Sequence, residues 1–336
     1  MKIECCVFDF GGVMSPALYP DLVKPIAEGL GIEWNRIIDG YRKYRQRMDG
    51  DLITLREMYS MIFADIGVDV PEDAFAKILE ADTATYFARN EDTLAWMREL
   101  KSAGFKIGIL TNMNTPFSRH FKRVFADFVE LADALVVSGE EHLFKPMREI
   151  YEVAAKRLGV EPAKICFFDD IEENCQGARN AGWNAIRFSG VAATKKAFKE
   201  LTSPENHFLA AAADVLEMDG VGLDTRFRDV PEWSSLKAFG LLVMMESRFA
   251  APLKIDGFMA IETLGGLYRF AVKHLIARVL GVAFDSLGDN PRYGEPPEWD
   301  SVNHLRIAME MEKAFGVKYP IERIPALLSL DELSKE

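Results

Sequence analysis

The amino-acid sequence predicts an α/β protein: a parallel sheet carrying an inserted helical cap, followed by a smaller all-helical region. Three observations carry that reading. Apolar strand-like runs alternate with amphipathic stretches through the first 190 residues, the long stretch between the first two runs is helical throughout, and a repeated helical pattern takes over beyond residue 206.

Each element follows from its local pattern. Four apolar runs read as strands: Cys5 to Phe10, Lys106 to Leu110, Ala134 to Val137 and Ile165 to Phe168. All four end in polar or glycine-rich residues, and open parallel sheets bind ligands at the carboxyl ends of their strands. The segment from Tyr19 to Asn90 is too long for a simple crossover and holds no strand pattern, so it reads as a cap over about residues 17–90. Lys195 to Asn206 is charged, carries Thr-Ser-Pro and reads as a linker.

The helical region repeats at an offset of 66 residues. Arg226-Phe-Arg-Asp-Val-Pro-Glu-Trp-Ser-Ser235-Leu lies over Arg292-Tyr-Gly-Glu-Pro-Pro-Glu-Trp-Asp-Ser301-Val without a gap. Leu236, Phe239 and Val243 then fall on Val302, Leu305 and Met309, so each copy opens a helix with apolar residues at i, i+3 and i+7. Glu246 and Phe249 fall on Glu312 and Phe315, and Thr263-Leu264 on Ser329-Leu330. Two copies of one small helical domain are expected, at 205–271 and 272–336.

Composition narrows the setting. A chain of 336 residues with 49% hydrophobic content is sized for two or three domains. No apolar run approaches the roughly 18 residues of a membrane span, and no signal-peptide layout opens the sequence, so no membrane partner and a cytoplasmic setting are expected. Cys5, Cys6, Cys166 and Cys175 lack zinc-knuckle spacing and read as core thiols. A formal net charge of -12 argues against nucleic acid and suits basic protein partners.

The strand ends hold the chemistry. Phe8-Asp9-Phe10-Gly11-Gly12 sets a carboxylate at a strand terminus before glycines that let a ligand approach the backbone. Thr111 and Asn112 offer a hydroxyl and a backbone N–H to phosphate oxygens. Lys145 supplies a cation, and Asp169-Asp170 place paired acids at the last strand end, with Asn174 downstream. Adjacent buried carboxylates repel, so such a site needs a divalent cation, and oxygen-only ligands point to magnesium, Mg2+.

In order and spacing these segments resemble the haloacid dehalogenase superfamily, and within it the phosphatase-like branch with a helical cap. The resemblance implies a Rossmann-like core over residues 1–200. It casts Asp9 as the nucleophile that forms an aspartyl-phosphate, with Thr111 and Lys145 beside it in catalysis, and Gly11, Gly12, Thr111, Asn112 and Lys145 as the groups that bind the phosphate. Lys145 becomes the restraining cation. Asp9, Asp169, Asp170 and the Gly11 carbonyl become metal ligands, with Asn174 behind them. One departure stands out: most family phosphatases carry a second Asp two residues after the nucleophile, where this chain has Gly11. Metal-free dehalogenases of the superfamily also lack that residue, but they do not keep the paired acids. The cap should select the substrate, and its stretch Arg42-Lys43-Tyr44-Arg45-Gln46-Arg47 could meet a second anionic group.

Glu298-Trp299-Asp300-Ser301-Val302-Asn303-His304-Leu305 resembles the entry to the second helix of acyl carrier proteins. That resemblance implies 4'-phosphopantetheine on Ser301, where a helix N-terminus tolerates the phosphate, although Asp300 or Ser301 could merely cap the helix. Ser235 in the first copy follows Ser234 rather than an acid, and is either a second attachment site or a relic. Residues 205–336 hold 21 acidic and 14 basic side chains. Such a carrier would recruit a phosphopantetheinyl transferase and acyl-loading enzymes by charge. The expected function is phosphate-ester hydrolysis on a small metabolite or a carrier-tethered group. The alternatives are a weakly active scaffold, or acyl or glyceryl transfer onto the carrier thiol.

Overall fold

The computed structural model describes residues 3–17, 19–319 and 321–335. It divides into two compact units, one spanning Glu4–Lys195 and the other holding the residues from Lys196 onward.

The first unit is built on a five-stranded sheet, ordered β3-β2-β1-β4-β5 with every pairing parallel. The strands are β1 (Cys5–Phe8), β2 (Lys106–Thr111), β3 (Ala134–Val137), β4 (Ile165–Asp169) and β5 (Asn184–Arg187). β1 lies at the centre, which is why Cys-Cys-Val-Phe is buried along its whole length. All four cysteines are buried free thiols, as expected. Phe8 pairs with Ile109 on one side and Phe168 on the other, so Asp9, Thr111 and Asp169 leave the sheet at one edge. The strand order reverses beside β1, and the crevice this opens lies at that same edge.

Between β1 and β2 the chain forms the expected cap: α1 (Lys24–Gly29), α2 (Trp34–Asp49), α3 (Leu55–Ile66) and α4 (Glu72–Thr85). Val23, Ile37, Tyr41, Met58, Tyr59, Ile62 and Ile78 give it a core of its own. Thr54 starts α3 with a reciprocal cap, its hydroxyl accepting from the Glu57 N–H while the Glu57 carboxylate accepts from the Thr54 N–H. The sheet is flanked by α5 (Glu91–Ser102), α6 (Thr115–Val124), α7 (Ala126–Leu131), α8 (Ser138–Glu141), α9 (Arg148–Leu158) and α10 (Glu172–Asn180).

The expected linker is helical instead. Lys195–Leu201 lies in α11 (Val191–Leu201), and the Ser203 hydroxyl accepts from the Asn206 N–H to cap α12 (Pro204–Leu216). The Thr-Ser-Pro that reads as a linker is therefore a helix start, with Ser at the cap and Pro in the first turn.

The second unit continues with α13 (Ser235–Phe249), α14 (Ile255–Met259), α15 (Leu264–Leu280), α16 (Ser301–Phe315) and α17 (Leu330–Lys335). The repeat holds to the residue. α13 and α16 share their bounds at the 66-residue offset, and Arg226 bridges Thr263 as Arg292 bridges Ser329. The Leu264 N–H donates to the Thr225 carbonyl at 3.0 Å, and the Leu330 N–H to the Pro291 carbonyl at 3.1 Å. The division at 271/272 does not hold, because it falls inside α15, which is continuous. The start of α15 matches α17 and its later turns match α12, so one helix serves both copies. A single apolar core runs from Phe208 through Leu267, Leu275 and Trp299 to Leu333.

The apolar triplet is also placed unexpectedly. Leu236, Phe239 and Val243, and their counterparts Val302, Leu305 and Met309, lie on the exposed face of α13 and α16. Leu241, Met245 and Phe249, with Ile307, Met311 and Phe315, turn inward and fill the core. Among the described residues no helix is long and apolar enough to cross a membrane.

Candidate active site

Asp9 follows the last residue of β1, and its N–H donates to the Phe168 carbonyl at 2.9 Å, which fixes it against β4. One oxygen from each of Asp9, Asp169 and Asp170 lies within 4.8 Å of the others. Lys145 reaches this cluster from the loop after α8. Its ammonium lies 2.7 Å from Asp9 Oδ1 and 2.6 Å from Asp169 Oδ2, and is almost completely buried. Burial opposes that positive charge, but Asp169 and Asp9 outweigh it and hold the Lys145 pKa above the usual lysine range. Burial pushes the Asp9 carboxyl upward, with Asp169 and Asp170 adding to the rise against the pull of Lys145. Asp170 is pushed up to about 6 by burial and by Asp169.

The supporting contacts are specific. Asp169 Oδ1 accepts from the Ile171 N–H at 2.8 Å, and Asn174 Nδ2 donates to both Asp169 oxygens at 3.1 Å. Asn174 thus lies behind the acids. Thr111 is buried at the end of β2 beside the cavity. The Asn112 side chain does not point at a ligand: its Nδ2 donates to the Lys145 carbonyl at 3.0 Å and its Oδ1 accepts from the Lys145 N–H at 2.8 Å. It holds the lysine loop. Gly12 adopts a φ of 72°, a left-handed turn that lets the chain fold back after Asp9 and Phe10. At Gly11 an added Cβ would meet nothing nearer than the Ala17 carbonyl oxygen at 3.9 Å, so the missing side chain is not a steric requirement.

These groups line a cavity of about 480 Å³, whose opposite wall is the cap. Tyr19, Tyr41, Arg42, Arg45, Asp49 and Tyr86 form that wall. A second cavity of about 620 Å³ lies between α3, α4 and α6 and shares Arg45, Asp49 and Tyr86 with the first. Of the basic stretch on α2, Arg42 and Arg45 reach the site. Asp49 and the tyrosines escaped sequence reasoning, and the available signal was the i,i+4 spacing of Arg45 and Asp49, which usually marks a solvated helix pair.

Comparison with known proteins agrees with this geometry. Residues 3–182 match the model of the haloacid dehalogenase-like hydrolases. The chain belongs to that family. Among curated haloacid dehalogenase-like relatives, an (S)-2-haloacid dehalogenase of a Pseudomonas species is 27% identical over 38% of this chain and 54% of its own length. A phosphatase of Mycobacterium tuberculosis is 29% identical over 55% of this chain and 87% of its own. The chain thus spans about half the length of that dehalogenase. A haloacid dehalogenase-like hydrolase of Porphyromonas gingivalis superposes with a TM-score of 0.47 at 16% identity, over 59% of this chain and 98% of that one.

A divalent cation fits this donor set. Three carboxylates facing one ammonium leave an excess of negative charge in a buried place, and the ligand atoms are all oxygens. Asp9, Asp169, Asp170 and the Gly11 carbonyl are the groups that would hold magnesium.

Proposed function

We propose that the first unit is a magnesium-dependent phosphomonoester hydrolase. The observation that carries this reading is the convergence of Asp9, Asp169 and Asp170 around the Lys145 ammonium. Asp9 attacks phosphorus, the P–O bond to the leaving alcohol breaks, and water then cleaves the aspartyl-phosphate. Lys145 keeps the nucleophile oriented, while Thr111 and the Asn112 N–H receive the phosphoryl oxygens. Bound magnesium would supply charge neutralisation for the phosphoryl group. The relationship to a mycobacterial phosphatase over most of that protein's length supports phosphate as the leaving product.

The test is phosphate release from a panel of phosphomonoesters with and without magnesium, which should vanish in Asp9→Asn. Halide release from 2-haloacids with no phosphate release would replace this reading by dehalogenation. No turnover of either class would favour the scaffold.

We propose further that the helical unit is a carrier bearing 4'-phosphopantetheine on Ser301. The Asp300 carboxylate accepts from the Asn303 N–H at 2.8 Å, so Asp300 does the capping and the Ser301 hydroxyl stays exposed. Ser235 has the same exposure, with Ser234 capping its helix. A cytoplasmic setting, a phosphopantetheinyl transferase and acyl-loading enzymes go with this reading. Treatment with coenzyme A and such a transferase should add the mass of one arm per competent serine. An unchanged mass would remove the carrier role.

A further inference from the structure

Hydrolysis of an alkyl phosphate requires a proton for the leaving alkoxide, and Gly11 has no side chain to give it. We propose that Asp49, clamped by Arg45 at the end of α2, is the general acid that protonates the leaving group.

Asp49 lines the cavity that holds Asp9, from the opposite wall, and is 5% exposed. Its backbone is held from the sheet side: the Ser138 hydroxyl donates to the Asp49 main-chain carbonyl at 2.7 Å, and the Ser138 hydroxyl oxygen accepts from the Met113 N–H at 2.8 Å. The Asp49 main chain is therefore tied to the segments that follow β2 and β3. Arg45 Nε donates to both of its oxygens, at 2.7 and 2.8 Å. Arg45 is in turn packed over the rings of Tyr41 and Tyr86, and donates to the Tyr86 hydroxyl at 3.2 Å.

The charged and titratable groups facing Asp49 are few. Arg45 lies on its own helix, Asp82 approaches from α4 with Tyr59 donating to it, Tyr86 follows α4, and Lys145 lies across the cavity. Burial raises the Asp49 carboxyl to about 6, Arg45 and Lys145 oppose the rise, and Asp82 adds to it. Its proton is thus exchanged near neutral pH, as acid catalysis requires. Asp9 is committed to attack, Asp169 and Asp170 to the cation, and Glu173 is an exposed residue at the rim. In the first half-reaction the Asp9 oxygen bonds to phosphorus, the alkoxide departs, and the Asp49 proton moves to the alkoxide oxygen. The carboxylate left behind is paired with Arg45. In the second half-reaction the attacking water keeps its proton on the phosphate it forms, and Asp49 takes up a new proton from solvent before the next turnover.

This role rests on the phosphatase reading, and leaving-group chemistry separates the two. p-Nitrophenolate departs without a proton, whereas the alkoxide of 2-glycerol phosphate does not. Asp49→Asn should lower kcat on 2-glycerol phosphate by about 10²-fold or more and on p-nitrophenyl phosphate by less than about tenfold. The fall in 2-glycerol phosphate turnover above the pKa of the acid should disappear in the variant. Gly11→Asp in the Asp49→Asn background should restore the alkyl substrate, since an added Cβ there meets nothing nearer than 3.9 Å. Because Asp49→Asn leaves Arg45 buried without its partner, Arg45→Met/Asp49→Asn serves as the second variant, and retained p-nitrophenyl phosphate turnover shows the fold intact. Equal losses on both substrates with an unchanged pH profile would overturn the role of Asp49. A wild-type protein that releases phosphate from neither substrate would instead overturn the phosphatase reading beneath it.

Discussion

The Lys145 ammonium lies 2.6 Å from Asp169 Oδ2, with both side chains sealed from solvent. Removing one member of a buried pair strands the other charge, which costs about 3–5 kcal/mol. Lys145→Met should therefore lower the unfolding free energy of the first unit by that order, read from urea denaturation, and abolish turnover. Lys145→Met/Asp169→Asn should recover much of the stability and none of the activity. A single variant as stable as the parent would show that the pair does not hold the site closed.

Gly177 links helix packing to the same lysine. A Cβ there would lie 2.8 Å from the Pro146 Cβ, 2.9 Å from the Pro146 carbonyl oxygen and 2.9 Å from the Tyr151 hydroxyl. That hydroxyl donates to the Asn174 carbonyl at 2.7 Å, so α10 cannot move without disturbing both Lys145 and Asn174. Gly177→Ala is expected to cost about 1–3 kcal/mol and to lower phosphate release. Gly182→Ala, at a φ of 84° with Pro162 as its near neighbour at 3.5 Å, should cost about 1–2 kcal/mol of backbone strain with activity retained. Equal activity losses in the two would remove the special place of Gly177.

The strand ends that carry Asp9, Asp169 and Asp170 were legible because a parallel sheet brings them to one edge whatever lies between them, so the three acids could be brought together from their motifs alone. β5 was not, since Asn184-Ala-Ile-Arg187 is short and partly exposed and shows neither a buried run nor a clear alternation. Asp49 was hidden because a pair at i,i+4 on a basic helix looks the same in solvent as it does over an active site. The exposed triplets on α13 and α16 were read as ordinary amphipathic faces, because periodicity reports a stripe without saying which side is wet. Sliding the chain against itself found the repeat, yet it could not show that α15 belongs to both copies. Only packing reveals that the shared helix joins them in one core.

That shared core makes the two tryptophans unequal. Trp299 is fully buried and its indole N–H donates to His304 Nδ1 at 3.1 Å, while His304 Nε2 lies 2.8 Å from the Ile324 carbonyl. Trp233, at the same place in the first copy, is half-buried and stacked on Phe227 with ring centroids 5.2 Å apart. Trp299→Ala should cost about 3–5 kcal/mol, and Trp233→Ala clearly less. Chemical denaturation followed by far-UV circular dichroism compares them. Equal costs would mean that the two copies are supported alike.

Acid should shift the stability of the two units in opposite senses. His207 is 7% exposed on α12, and burial pushes its imidazole down to about 4 from the ordinary 6.5. Between those values the unfolded chain binds a proton that the folded unit refuses, so stability present above pH 6.5 is lost as the pH falls towards 4. The shift is worth at most about 3 kcal/mol. His274, lowered by burial and by Arg278, adds a loss of the same sign. In the first unit Asp49 and Asp82, both raised to about 6 by burial, bind protons more readily when folded, so their contribution grows as the pH falls through 6. Urea midpoints at pH 7.5 and 5, followed by a probe within each unit, should therefore diverge. His207→Leu should remove most of the acid sensitivity of the helical unit while leaving the other unit unchanged. A helical-unit midpoint that is the same at both pH values in the parent protein would show that the imidazole is hydrated and free to take up its proton in the folded state.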